Sequence, residues 1–157
     1  MKRHLPFLGL IAGLVALDQA AKAVVVKLIP FYGNVSVIPG FFSISHIHNR
    51  GAIFGTFSQS GSPIVTIFLA AASLFALVMV VVYFFRTPAS QMGMKVSLAL
   101  IMAGALGNFI DRIGRGYVVD FMEFHVRRAY FPTFNVADSC ITIGALLLIL
   151  IFVIRRP

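Results

Sequence analysis

The chain has no tryptophan, one cysteine, and only five carboxylates among 157 residues. Each scarcity narrows the reading. A single Cys140 cannot close an intrachain disulfide, so cysteine usage says nothing about compartment. It falls within an apolar run that holds none of the four histidines, so it reads as a small buried apolar side chain rather than a nucleophile. Without tryptophan, any aromatic belt at a membrane surface falls to tyrosine and phenylalanine. Charged residues make up 11% of the chain, too few for a soluble domain of this length. No internal repeat or low-complexity segment is visible, and no His-Glu-x-x-His stretch marks a zinc peptidase.

What is abundant is apolar. The hydrophobic fraction is 59% and the mean hydropathy +0.95, values of a polytopic membrane protein. Four stretches approach the roughly 20 apolar residues that cross a bilayer: about Phe7–Leu28, Pro63–Phe85, Met94–Ile113 and Val136–Ile154. The remainder is too short for a separate domain, so residues 1–157 are expected to form one integral membrane unit. The expected fold is an all-α four-transmembrane-helix bundle. Outer segments at about 29–62 and 114–135 supply a small β-strand cradle and an interfacial amphipathic segment. The basic start Met1-Lys2-Arg3-His4 resembles a signal peptide, but the run continues past Asp18 and Lys22 and reads as an uncleaved first span.

The net charge of +8 is not a nucleic-acid signature, because the basic residues are scattered among span ends. With four spans, Lys2, Arg3, Arg86, Lys95, Arg155 and Arg156 share one side. Lys22, Lys27, Arg50, Arg112, Arg115, Arg127 and Arg128 lie on or towards the other, together with all five acids. Counting basic residues alone does not orient the chain. The side with unneutralised base is taken as cytoplasmic, with both termini there, and the mixed side as the one holding a site.

Between the first two spans, Phe42-Ser43-Ile44-Ser45 alternates as a half-buried strand does, with Pro30 and Pro39 as breakers. Between the last two, Tyr117, Phe121, Phe124, Tyr130, Phe131 and Phe134 are interleaved with charge, a composition suited to the headgroup layer. Residues 117–131 are expected to lie at the interface, placed to close over a substrate cradled by residues 30–61.

The acids carry the functional argument, since a bilayer core penalises an aspartate by roughly 2.5–3.5 kcal/mol at mid-span. Asn108, Asp111 and Arg112 are spaced i, i+3, i+4 on one face of the third span, as an interfacial anchor or as part of a site. Ala103 and Gly107 form a small-xxx-small pair that admits a neighbouring helix. Asp120 lies between Val119 and Phe121, surroundings that raise a carboxyl's pKa by desolvation. Asn135 is a good N-cap for the fourth span, which puts Asp138 at the third helical position, where exposed amides and the helix dipole favour an anion. Asp138 is therefore either a capping acid or one half of a carboxylate pair. As a pair, one member stays protonated while the other acts as base, with Asp120 the proton holder and Asp138 the anion.

The runs Gly104-Ala105-Leu106-Gly107-Asn108-Phe109-Ile110-Asp111-Arg112, Gly116-Tyr117-Val118-Val119-Asp120-Phe121 and Phe134-Asn135-Val136-Ala137-Asp138 resemble the bacterial lipoprotein signal peptidases (signal peptidase II). Asp18-Gln19-Ala20-Ala21-Lys22 and Asn49-Arg50-Gly51-Ala52-Ile53-Phe54 add to the likeness, which covers residues 18 to 138 in order. Small departures exist: the family often has glycine where Ala103 stands and threonine where Ala21 stands, both conservative.

The resemblance implies an aspartic endopeptidase of the bacterial inner membrane. It would cleave diacylglyceryl-modified prolipoproteins just before the lipid-bearing cysteine, with its site near the outer face. By that likeness Asp120 and Asp138 are the catalytic pair, and Asn49, Gly51, Asn108, Arg112 and Asn135 bind substrate or support them. Asp18, Lys22 and Asp111 are structural polar residues, with Asp18 and Lys22 spaced for an ion pair. No metal or other cofactor is implied, the partners are substrate and membrane lipid, the expected state is a monomer, and globomycin is the implied inhibitor.

Three other readings stand beside it. His46 and His48 fall on one face of a strand and could begin a metal site, but lack a third ligand. An ion-coupled transporter would also use intramembrane carboxylates, although here they crowd one interface. Ser139 beside Asp138 has no lysine or histidine at a spacing that would activate it.

Overall fold

A computed structural model describes residues 4–50, 63–126 and 129–154. Among them are four helices: α1 (Leu5–Leu28), α2 (Pro63–Arg86), α3 (Met92–Arg115) and α4 (Val136–Ile154). These start and end within two residues of the four apolar runs in the sequence. By length and composition α1, α3 and α4 suffice to cross a membrane, and Ala71–Arg86 of α2 is a shorter apolar stretch. Leu17, Val24, Ile143, Leu146, Ile149 and Phe152 are each more than half exposed. Such an outward apolar surface is stable in contact with lipid rather than water.

Helix α3 is the hub, packed against the other three helices. Small residues set how closely α4 and α1 approach α3: a Cβ on Gly104 would run into the Ala137 carbonyl oxygen of α4, and one on Gly107 would stand 2.7 Å from Asp18 Oδ2 of α1. The close contact thus falls at Gly104 and Gly107, with Gly104 beside Ala103 of the Ala103–Gly107 pair expected from spacing. At the far end of the bundle Phe7, Ile11, Phe84, Leu98 and Met102 form the main apolar core. Buried Lys95 donates there to the carbonyl of Phe84, near the carboxyl end of α2, and lies 3.9 Å above the Phe84 ring centroid. A cation is favoured at that end of a helix.

The extramembrane segments form a four-stranded sheet in the order β1 (Asn34–Ile38), β2 (Phe42–Asn49), β3 (Val118–Val126) and β4 (Ala129–Tyr130), with every pairing antiparallel. The first two strands come from the segment expected to supply a cradle. The third corrects an expectation. Val118–Val126 is not a free-standing segment; it is a strand bonded along β2, with Asp120 opposite Ile47 and Met122 opposite Ile44. The open edge of β2 offers a ladder of backbone partners, which a buried backbone takes rather than stay unpaired. A closing movement of 117–131 against 30–49 would have to break it.

Candidate active site

Helix α3 stops at Gly116, whose φ of 76° is the left-handed cap conformation that glycine adopts without strain, and whose N–H bonds the Arg112 carbonyl. The chain turns there into β3, and Asp120 follows four residues later. Its carboxyl is 2% exposed and accepts two amide donors: Asn49 Nδ2 at 2.9 Å on Oδ2 and Asn135 Nδ2 at 2.7 Å on Oδ1.

Asp138 stands in the first turn of α4, and Asn135 caps that helix reciprocally with it. The Asp138 N–H donates to Asn135 Oδ1 at 2.9 Å, and the Asn135 N–H donates to Asp138 Oδ2 at 3.2 Å. This is the capping-box arrangement, with an aspartate in the third position. Asn108 of α3 donates from Nδ2 to Asp138 Oδ1 at 2.7 Å. Asp138 is thus a capping acid, and the residue that it caps with also holds Asp120. Ser139 only closes the same turn, donating to the Asn135 carbonyl at 3.0 Å.

Behind this pair lies a buried ionic cluster. Lys22 Nζ is 2.8 Å from Asp18 Oδ2 and 2.8 Å from Asp111 Oδ2, and all three residues are at most 1% exposed. Asp111 also pairs with Arg115 one turn on and accepts the Val119 N–H at 3.2 Å. Its partners are therefore Lys22 and Arg115 rather than the adjacent Arg112. Asp18 Oδ1 accepts the Ala137 N–H at 2.9 Å, a second carboxylate on the start of α4. Gln19, which sequence reasoning did not single out, joins α1 to α3 by donating to the Gly107 carbonyl at 3.1 Å and to Asp111 at 3.3 Å. Its place between Asp18 and Lys22, beside a paired helix, was the available signal.

Of the residues named from sequence, Asn49, Asn108, Asn135, Asp120 and Asp138 form one hydrogen-bonded network, joined to Asp18, Lys22 and Asp111. Half-buried Arg112 bonds the Asn108 carbonyl at 3.4 Å and lies in the field of Asp138 and Asp120. Gly51 lies outside the described residues, as do Ala52, Ile53 and Phe54 of the same motif.

The Asp120 carboxyl is pushed up to about 7. Burial is the largest cause and the charge of Asp138 adds to it, while the Asn49 and Asn135 bonds and Lys22 act in opposition. A carboxyl of this kind holds its proton near neutrality and can donate it.

His46 and His48 do share a strand face, with their Nε2 atoms 3.1 Å apart. His46 Nδ1 is bonded to the Ile29 carbonyl, and the His48 ring is stacked between Phe31 and Tyr117. Among the described residues no group of three or more histidine, cysteine or acidic side chains could hold a metal ion.

The family model described as signal peptidase (SPase) II matches residues 10–154. The lipoprotein signal peptidase of Symbiobacterium thermophilum is 43% identical over 137 residues, 87% of this chain and 86% of that protein. That of Clostridium tetani is 39% identical, over 90% of this chain and 88% of its own length. A solved structure of a bacterial membrane enzyme superposes with a TM-score of 0.82 at 34% identity, covering 96% of this chain and 94% of the other.

Proposed function

The chain belongs to the signal peptidase II family, and from that premise we propose that it is an aspartic endopeptidase. Its substrate is a diacylglyceryl-modified prolipoprotein, cut immediately before the lipid-bearing cysteine. The observation that carries the reading is the shared amide of Asn135, which binds Asp120 and caps the helix turn of Asp138.

In this reading Asp138 is the anion and Asp120 the acid. Water adds to the scissile carbonyl carbon, giving its proton to Asp138, while Asp120 gives its own proton to the carbonyl oxygen. The tetrahedral adduct returns one proton to Asp120 as the carbonyl reforms, and the amide nitrogen leaves with the proton held by Asp138. The dyad ends as it began. Asn49, Asn108 and Asn135 aim donors at the two carboxyls, and Arg112 adds positive potential where negative charge develops. Gly51 completes the substrate-binding set.

The four helices are read as four spans of a bacterial inner membrane, with both termini cytoplasmic and the sheet at the outer surface. A substrate can then keep its acyl chains in the bilayer while its peptide meets the dyad beside the sheet. The protein works as a monomer and needs no metal, and globomycin inhibits it.

The test is cleavage of a diacylglyceryl-modified prolipoprotein by purified protein in the presence of a strong chelator, comparing wild type with Asp120→Asn. Cleavage that is lost in the variant supports the reading. Equal cleavage by both removes Asp120 from the mechanism, and a loss caused by the chelator moves attention to His46 and His48.

A further inference from the structure

The proposed chemistry leaves the buried ammonium of Lys22 without a part, yet the ammonium touches the same network. Besides Asp18 and Asp111, Nζ lies 3.2 Å from Asn108 Oδ1. An ammonium has three N–H groups and nothing with which to accept, so each partner must offer it an oxygen. That requirement fixes a choice which an asparagine amide otherwise leaves open. With its oxygen held by Lys22, Asn108 must turn its NH₂ towards Asp138 Oδ1, 2.7 Å away.

The constraint then passes along the chain of amides. The oxygen of Asn108 also receives Asn135 Nδ2 at 3.3 Å, which keeps that NH₂ on the side of Asp120. The Asn135 oxygen is left for the Asp138 N–H. Were Asn108 reversed, its NH₂ would face the ammonium and the NH₂ of Asn135, and its oxygen would face a carboxylate. All three contacts would be repulsive.

Resting on the aspartic reading above, we infer that Lys22 is a positioning residue for the dyad. Through Asn108 and Asn135 its fixed charge holds both amides in the one orientation that presents N–H donors to Asp138 and Asp120. The charged groups around this path are Asp18 on α1, Asp111, Arg112 and Arg115 on α3, Asp120 on β3 and Asp138 on α4. Asp18 and Asp111 neutralise Lys22 at 2.8 Å each, and Asp18 also fixes the start of α4 through Ala137.

The experiment measures kcat and KM across pH for wild type, for Lys22→Gln and for the triple variant Asp18→Asn/Lys22→Gln/Asp111→Asn. The single variant strands two buried carboxylates and can fail to fold, whereas the triple variant removes the charges together. In either folded variant kcat is expected to fall about 10–100-fold as the dyad loses its alignment. KM should change less than about threefold, an interaction loss confined to the reacting state. In Lys22→Gln the acidic limb of the profile should move to higher pH, because the anion has lost a nearby cation while Asp18 and Asp111 keep their charge. A folded variant of either kind with wild-type kcat, or a folded Lys22→Gln with a lowered kcat and an unmoved limb, overturns the inference.

If wild type does not cleave the prolipoprotein, or cleaves it without Asp120, it is the functional reading that fails. Hydrogen exchange of the side-chain NH₂ of Asn108, followed by NMR, then decides the matter alone. Faster exchange in the triple variant than in wild type supports positioning by Lys22, and unchanged exchange overturns it.

Discussion

Asn49 and Asp120 are 71 residues apart in sequence and 2.9 Å apart in space, with the amide of one strand donating to the carboxyl of the next. The bond favours the ionised form of Asp120 and so restrains the upward push of burial. Replacing Asn49 with Leu is expected to raise the Asp120 pKa further. The basic limb of kcat/KM should move to higher pH, and the rate at the optimum should fall about 10-fold or more through lost alignment. Rate profiles of the two proteins from pH 5 to 10 check this.

The wild-type profile itself has a defined shape if Asp120 is the acid. Its proton is lost as pH rises through about 7, so kcat/KM is expected to decline above neutrality. A rate that instead climbs steadily to pH 9 would show that ionised Asp120 is the working form.

Stability should carry the opposite signature to that of an ordinary paired carboxylate. The folded value of about 7 lies above the usual 3.8, so the folded state binds more protons between those two pH values. Stability is therefore expected to fall as pH rises from about 4 to 7 and to level off above that. The contribution from Asp120 is at most a few kcal/mol. Thermal unfolding in detergent at pH 5 and pH 8 measures the difference, and Asp120→Asn should shrink it.

Gly104→Ala is expected to force α3 and α4 apart, since the added carbon would meet the Ala137 carbonyl at 2.2 Å and Ile141 Cγ1 at 2.7 Å. A loss of roughly 1–3 kcal/mol and of most activity should follow, because Ala137 adjoins Asp138. Gly114→Ala is the control. Nothing lies within 4 Å of its added carbon, and stability should hold or rise by a few tenths of a kcal/mol. Melting temperatures and cleavage rates of both variants decide.

The difference between what the sequence made legible and what it hid follows the range of the interaction. Helix positions follow from apolar run length, and the Asn135–Asp138 cap follows from a spacing of three residues, so both could be read directly. The shared face of His46 and His48 follows from the two-residue period of a strand. The partners of Asp111 could not be read in this way. Arg112 is its neighbour in sequence but points about 100° away around the helix. The ammonium that meets Asp111 comes from α1, 89 residues earlier. The strand Val118–Val126 was hidden for a related reason: its own pattern of aromatics and charge suits an interface, and only the free edge of β2 makes it a strand. The pair Asp120 and Asp138 could be named from local surroundings, whereas Asn135 as their support came only from the family likeness, since its spacing alone explained it as a cap.

That double employment sets the tolerance of this part of the chain to insertion and deletion. Each residue added to or removed from a helix start turns everything beyond it by about 100° and shifts it by 1.5 Å. Asn135 bonds Asp120 behind it and Asp138 ahead of it, so one residue gained or lost between Asn135 and Asp138 swings one carboxyl out of the network. An insertion between Phe134 and Asn135 meets a different limit, because the Phe134 carbonyl receives the N–H groups of Phe121 and Met122 and so anchors the chain one residue before the cap. The join between sheet and helix is therefore a gauge of fixed length, and drift in loop size is confined to stretches that do not cross it.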